Sequence, residues 1–194
     1  MKRAPRRAWV LGLGCGQTDK FALSGRALWR YAGQSCQENT GYTGALLGSW
    51  LYVRNSLKDS QILDAASGVV SGAFPPLLMP AGSQAAAFIA NAGKLSAFPL
   101  GGSTSPLWTY SATHVTAVPI VVGNQVVVGS AVGSLGGPGE IDVLDAQTGA
   151  VLSSDALPDS PPGTLEGTIQ FPVVGMAAAN HHLYFMAGNL LYAY

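Results

Sequence analysis

Charge is scarce in this chain, with ten basic and ten acidic side chains among 194 residues. An ordinary soluble domain carries roughly a quarter charged residues. With so little charge, and with Val, Leu, Tyr and Trp recurring along its whole length, the sequence is not that of a disordered polypeptide. Bases are missing altogether after Lys94, where six acids follow. Phosphate binding needs clustered Lys and Arg, so nucleic acid is not an expected partner once the basic segment up to Gly14 is removed. Cysteine is limited to Cys15 and Cys36, too few for a disulfide framework. A chain of this length buries a core without disulfides or metal. No apolar run is long enough to span a bilayer as a helix. The nucleophile elbow Gly-x-Ser-x-Gly is absent, and so is an adjacent cysteine pair. What is abundant is turn chemistry: 25 Gly and 12 Pro lie scattered along the chain. That spread speaks against long helices and for many short strands joined by tight turns.

Four of the ten bases, Lys2, Arg3, Arg6 and Arg7, precede the apolar stretch Ala8 to Gly14 and then Cys15. The order is that of a short export signal: a basic start, an apolar middle and small residues before a cysteine. Leu13-Gly14-Cys15 partly matches the lipid-attachment pattern of bacterial lipoproteins, with Gly12 where that pattern usually has Leu, so Cys15 is a candidate lipidation site. The alternative is a plain N-terminal tail in which Cys15 is an ordinary thiol. Removal up to Gly14 would leave six bases against ten acids and a mildly acidic protein.

The decisive signal is an internal repeat. Ile62-Leu63-Asp64-Ala65-Ala66-Ser67-Gly68-Val69-Val70 returns as Val143-Leu144-Asp145-Ala146-Gln147-Thr148-Gly149-Ala150-Val151, an offset of 81 residues. Leu28-Trp29-Arg30-Tyr31 returns as Leu107-Trp108-Thr109-Tyr110, offset by 79. Both spacings are twice a unit of about forty residues, the length of one four-stranded propeller blade. In each unit the Asp and the Ser or Thr accept hydrogen bonds from turn amides, and the Gly supplies the positive φ of a tight hairpin. Pro119 to Val128, with Gly123-Asn124 at its middle, reads as a hairpin. The expected architecture is all-β, a β-propeller of four-stranded antiparallel blades with about three full blades and a partial fourth. A lone last strand lies near Arg26 to Ala32, and blades run from Tyr42 to Phe74, Leu77 to Tyr110 and Thr116 to Ser153. A partial blade begins near Thr168 and runs to Tyr194. Within the second blade, Ala85 to Ala90 taken alone reads equally as helix. The division is residues 1–20 as a signal-like segment or tail and residues 21–194 as propeller blades.

Leu-Asp-Ala-x-Thr-Gly with Leu-Trp-x-Tyr in sister copies resembles the tryptophan-docking repeat of the PQQ-like propellers. That family includes quinoprotein dehydrogenases and the propeller lipoprotein of the outer-membrane β-barrel assembly machinery. The resemblance runs from about Ser24 to Tyr194. It implies that Trp29 and Trp108 pack between neighbouring blades, with Asp64, Gly68, Asp145, Thr148 and Gly149 as structural blade-turn residues. Val69-Val70-Ser71 and Val151-Leu152-Ser153 lack the docking Trp, so looser interfaces are expected there. A family enzyme would also need a cysteine pair and carboxylates around calcium-bound PQQ, and this sequence offers neither.

No other residues carry a site. His181 and His182 are adjacent and point to opposite faces of a strand, so they do not chelate one metal. His114 stands alone. Glu140, Asp142 and Asp145 match no calcium-loop spacing, and Asp145 is already used by the blade turn. Gly12 to Gly16 is glycine-rich but lacks the strand and helix of a phosphate loop. Catalytic, cofactor and metal residues are therefore expected to be none. The functional expectation is a noncatalytic binding or scaffolding module of an exported bacterial protein, periplasmic or membrane-anchored through lipid on Cys15. Its partner would be a protein or a small ligand. The alternative is a fragment of a PQQ-dependent alcohol or sugar dehydrogenase, with PQQ and calcium as cofactors. Because a propeller closes its ring to protect its edges, the chain is expected to be part of a longer protein or one half of a head-to-tail homodimer.

Overall fold

The computed structural model describes residues 9–14, 17–33, 44–54, 60–75, 78–111, 114–132, 137–159, 176–180, 182–188 and 190–194. Every regular element among them is a strand. No helix there is long and apolar enough to cross a membrane. The chain forms two compact units, Met1–Pro76 and Leu77–Tyr194.

In the first unit, β1 (Trp9–Gly14), β2 (Gln17–Ala22) and β3 (Ala27–Ala32) form one antiparallel sheet in that order. A second sheet runs β4 (Ala45–Leu47), β5 (Trp50–Arg54), β6 (Ser60–Asp64) and β7 (Val70–Ala73). Leu51, Val53, Leu63 and Ala65 are buried against Leu11, Leu13, Trp29 and Tyr31, so the two sheets share one core.

In the second unit, β8 (Ala81–Gly82), β9 (Ala86–Asn91), β10 (Lys94–Pro99) and β11 (Trp108–Tyr110) make a four-stranded sheet. The next sheet has its first position split into β12 (His114–Val115) and β13 (Ile120–Val122), both paired to β14 (Gln125–Ala131), followed by β15 (Gly139–Asp145) and β16 (Val151–Leu157). Pro119 sits in the break, where the lack of a backbone donor costs no ladder bond. Last come β17 (Met176–Ala179), β18 (His182–Ala187) and β19 (Leu190–Ala193). Phe88, Leu95 and Tyr110 pack on Val126, Val128 and Leu144, and Val127 and Ile141 pack on Phe185. Strands in the middle of the meander are covered on both faces, so β9 and β14 read as continuous apolar runs rather than alternating ones. The outer strands β7 and β16 are largely exposed.

One sequence expectation is corrected. The segment near Trp29 is not a lone strand: β1 and β2 precede it in a three-stranded meander, so pairing extends into residues 9–14 and 17–20, within the stretch read as a signal-like segment or tail. The alternation there was hidden because Leu11 and Leu13 are separated by glycine. Among the described residues the first and last sheets carry three strands each. The Ala-rich run resolves as strand β9, because it lies between β8 and β10 and buries both faces. Tertiary context overrides its helical propensity.

Candidate functional site

The repeated turn is built the same way twice, 81 residues apart. Asp64 Oδ1 accepts from Ala66 N at 3.1 Å, Ser67 N at 2.7 Å and Ser67 Oγ at 2.7 Å. Asp145 Oδ1 accepts from Gln147 N at 3.0 Å, Thr148 N at 2.8 Å and Thr148 Oγ1 at 2.9 Å. Gly68 N donates to Asp64 O and Gly149 N to Asp145 O, both at 2.8 Å. The hydroxyl and amide bonds from Ser67 and Thr148 hold both carboxyls below their usual range. Each turn is further tied to the hairpin before it, by Ala65 N to Ser49 O and Ala146 N to Asn124 O. Just ahead of each turn the ladder slips by one residue, between Ile62 and Leu63 and between Val143 and Leu144.

The tryptophans close onto these turns from the sheet before. Trp29 Nε1 donates to Ala65 O at 3.3 Å, and Trp108 Nε1 to Ala146 O at 3.2 Å. A Cβ on Gly68 would lie 2.7 Å from the Trp29 ring, and one on Gly149 2.7 Å from that of Trp108. With φ of 75° and 73°, both glycines combine a left-handed backbone with the absence of a side chain under the indole. In the first seam Lys20 Nζ also donates to Ala65 O, at 2.6 Å, and lies 4.6 Å from the Trp9 ring centroid. Lys20 is only 8% exposed, a contribution that sequence reasoning missed.

Register shows what replaces the indole elsewhere. Across the sheets the rows read Leu11–Lys20–Trp29 and Phe88–Ala97–Trp108, but Val127–Val143–Ser153 in the sheet of β12 to β16. Beside that row lies a cleft of about 530 Å³, lined by Val127 and Val143 on one side and by Ala178, Asn180, His182, Leu183 and Tyr194 on the other.

The second unit also buries an acid. Asp142, on β15, is 1% exposed and accepts from Tyr110 Oη at 2.8 Å. Burial pushes its carboxyl up; the neighbouring Ser154 and Tyr110 hydroxyls oppose the rise, and the Glu140 charge adds to it. Glu140 Oε1 accepts from Ser154 Oγ. In the first unit, Asp19 takes Arg30 Nε at 2.7 Å and a bond from Gln17, which hold it below its usual range.

The remaining candidates are dispersed. Asp142 turns to Tyr110 and Asp145 to its own turn, so Glu140, Asp142 and Asp145 do not converge on one point. Among the described residues no three His, Cys, Asp or Glu side chains gather as metal ligands. His182 lies beside Tyr184, with ring centroids 6.1 Å apart and planes tilted by 54°, and His114 lies against the Gly93 turn. His181, Cys15 and Cys36 lie outside the described residues. Gly12 and Gly14 are part of β1.

Antiparallel four-stranded meanders, sealed in pairs by an indole set on a glycine turn, are the blades of a β-propeller. Comparison with solved structures gives the particular kind, because the fold is that of the PQQ-like propellers. The chain is similar to BamB from Moraxella catarrhalis at 18% identity and TM-score 0.61, over 95% of this chain and 57% of that one. It is similar to a quinohemoprotein alcohol dehydrogenase from Pseudomonas putida at 17% identity and TM-score 0.57, over 76% of this chain and 28% of that one. A computationally designed protein, Ika4, matches at 14% identity and TM-score 0.55, over 78% and 88%. The chain therefore spans little more than half the length of BamB and under a third of the dehydrogenase. No family model and no curated protein match the sequence.

Proposed function

We propose that this chain is a noncatalytic propeller module of an exported protein, acting as a binding or scaffolding surface for a protein partner. One observation carries the reading: the polar groups that recur with the repeat are spent on architecture. Asp64 and Asp145 each take three bonds from their own turn, and each indole N–H is used on a neighbouring carbonyl. The fold likeness to BamB over nearly the whole chain supports the same reading, although fold alone does not confer function.

Export is part of the proposal, and lipid anchoring through Cys15 has a structural consequence. Cleavage before Cys15 would take away β1, and with it Leu11 and Leu13 from the first unit's core. Export with the N-terminal strand retained fits the fold better.

The discriminating experiment adds PQQ and calcium to the purified chain. A noncatalytic module keeps its melting temperature and gives no dye-linked oxidation of alcohols or sugars. A ligand that binds only the folded state raises the melting temperature by mass action, and such a rise, or turnover, would establish the dehydrogenase reading instead.

A further inference from the structure

The contact between Tyr110 and Asp142 joins β11 of one sheet to β15 of the next, inside the second unit. Its acceptor is a carboxyl removed from water, 1% exposed. A second acid, Glu140, stands two residues away on the same face of β15, since side chains alternate along a strand. Opposite Asp142 in register are Val128 on β14 and Ser154 on β16. Tyr110 and Glu140 are thus the titratable groups acting on it, with no base among the charges that shift it.

The internal repeat supplies a comparison. At the 81-residue offset, the position of Asp142 is taken by Gln61, and at the 79-residue offset that of Tyr110 is taken by Tyr31. Gln61 is half-buried where Asp142 is buried, and its amide carries no titratable proton. What Asp142 adds over Gln61 is the ability to gain and lose a proton. As a neutral acid it is compatible with burial. As an anion it is a buried charge beside another anion, which costs free energy.

We propose that Asp142 is a proton-operated latch on the seam between the β8–β11 sheet and the β12–β16 sheet, holding it closed while the carboxyl keeps its proton and loosening it as the carboxyl ionises. The sign follows from linkage. Between the ordinary aspartate value of 3.8 and the higher folded-state value, the folded chain keeps a proton that the unfolded chain has released. Stability therefore rises as pH falls through the folded value and is lost as pH rises through it.

The test is a carbon-13 NMR titration of the Asp142 carboxyl in the intact chain. A midpoint above 3.8 is expected, moving down in Glu140→Gln, which removes the repelling charge, and up in Tyr110→Phe, which removes a donor to the anion. Thermal unfolding at several pH values supplies the second readout: the melting temperature of the wild type relative to Asp142→Asn should increase as pH falls through the measured carboxyl midpoint. A midpoint at or below the ordinary value, or melting curves for wild type and Asp142→Asn that run parallel with pH, would overturn the latch. The carboxyl titration needs no Asp142 variant, so a folding failure of Asp142→Asn leaves the test intact.

Discussion

At Gly149 the backbone and the packing make the same demand. Its φ of 73° is left-handed, and the Trp108 ring occupies the place of a side chain. Gly149→Ala should cost about 1–2 kcal/mol for the backbone and about 1–3 kcal/mol more for overpacking against the ring. Gly123, with φ of 60° and nothing within 4 Å of the place a Cβ would take, isolates the first of these. Urea unfolding of Gly149→Ala and Gly123→Ala should therefore differ by the packing cost alone, and equal losses would show that the indole yields freely.

The seams are the element at which the two sheets of a pair are fastened, and they are not equivalent. Trp108→Phe keeps a ring but removes the donor to Ala146 O, an expected loss of about 0.5–1.5 kcal/mol. Trp29→Phe should cost less, because Lys20 Nζ still donates to Ala65 O. Denaturant midpoints of the two variants rank them directly. This asymmetry also shows what was readable in the residues. Asp64, Gly68, Asp145 and Gly149 announced their turns because local hydrogen bonding and positive φ restrict residue type, and Trp29 and Trp108 repeated at a telling interval. Lys20, Asp142 and Tyr110 act across sheets. Their partners depend on which strand faces which, and no local pattern encodes that. The strand β1 was masked for a related reason, because its basic and apolar flank has the composition of an export signal.

Over the whole molecule, carboxyl groups pull the pH dependence in two directions. Asp19, Asp64 and Asp145 are held below their usual range; the stability they contribute is present above the ordinary value of 3.8 and is lost as pH falls through their lowered values. Asp142 acts in the opposite sense, at higher pH. The expected curve of melting temperature against pH has a maximum between the lowered values of Asp19, Asp64 and Asp145 and the raised value of Asp142, and falls on either side of it. Circular dichroism melts between about pH 2 and pH 8 would trace both limbs. The absence of a decline toward strong acid would mean that the turn carboxylates contribute nothing.

The indole set on a glycine also makes two positions distant in sequence into a single structural unit. Trp29 is followed one sheet later by the Asp64 to Gly68 turn, and Trp108 by the Asp145 to Gly149 turn. Each indole meets its glycine within one unit, so substituting either residue alone leaves the other without the surface it packs against.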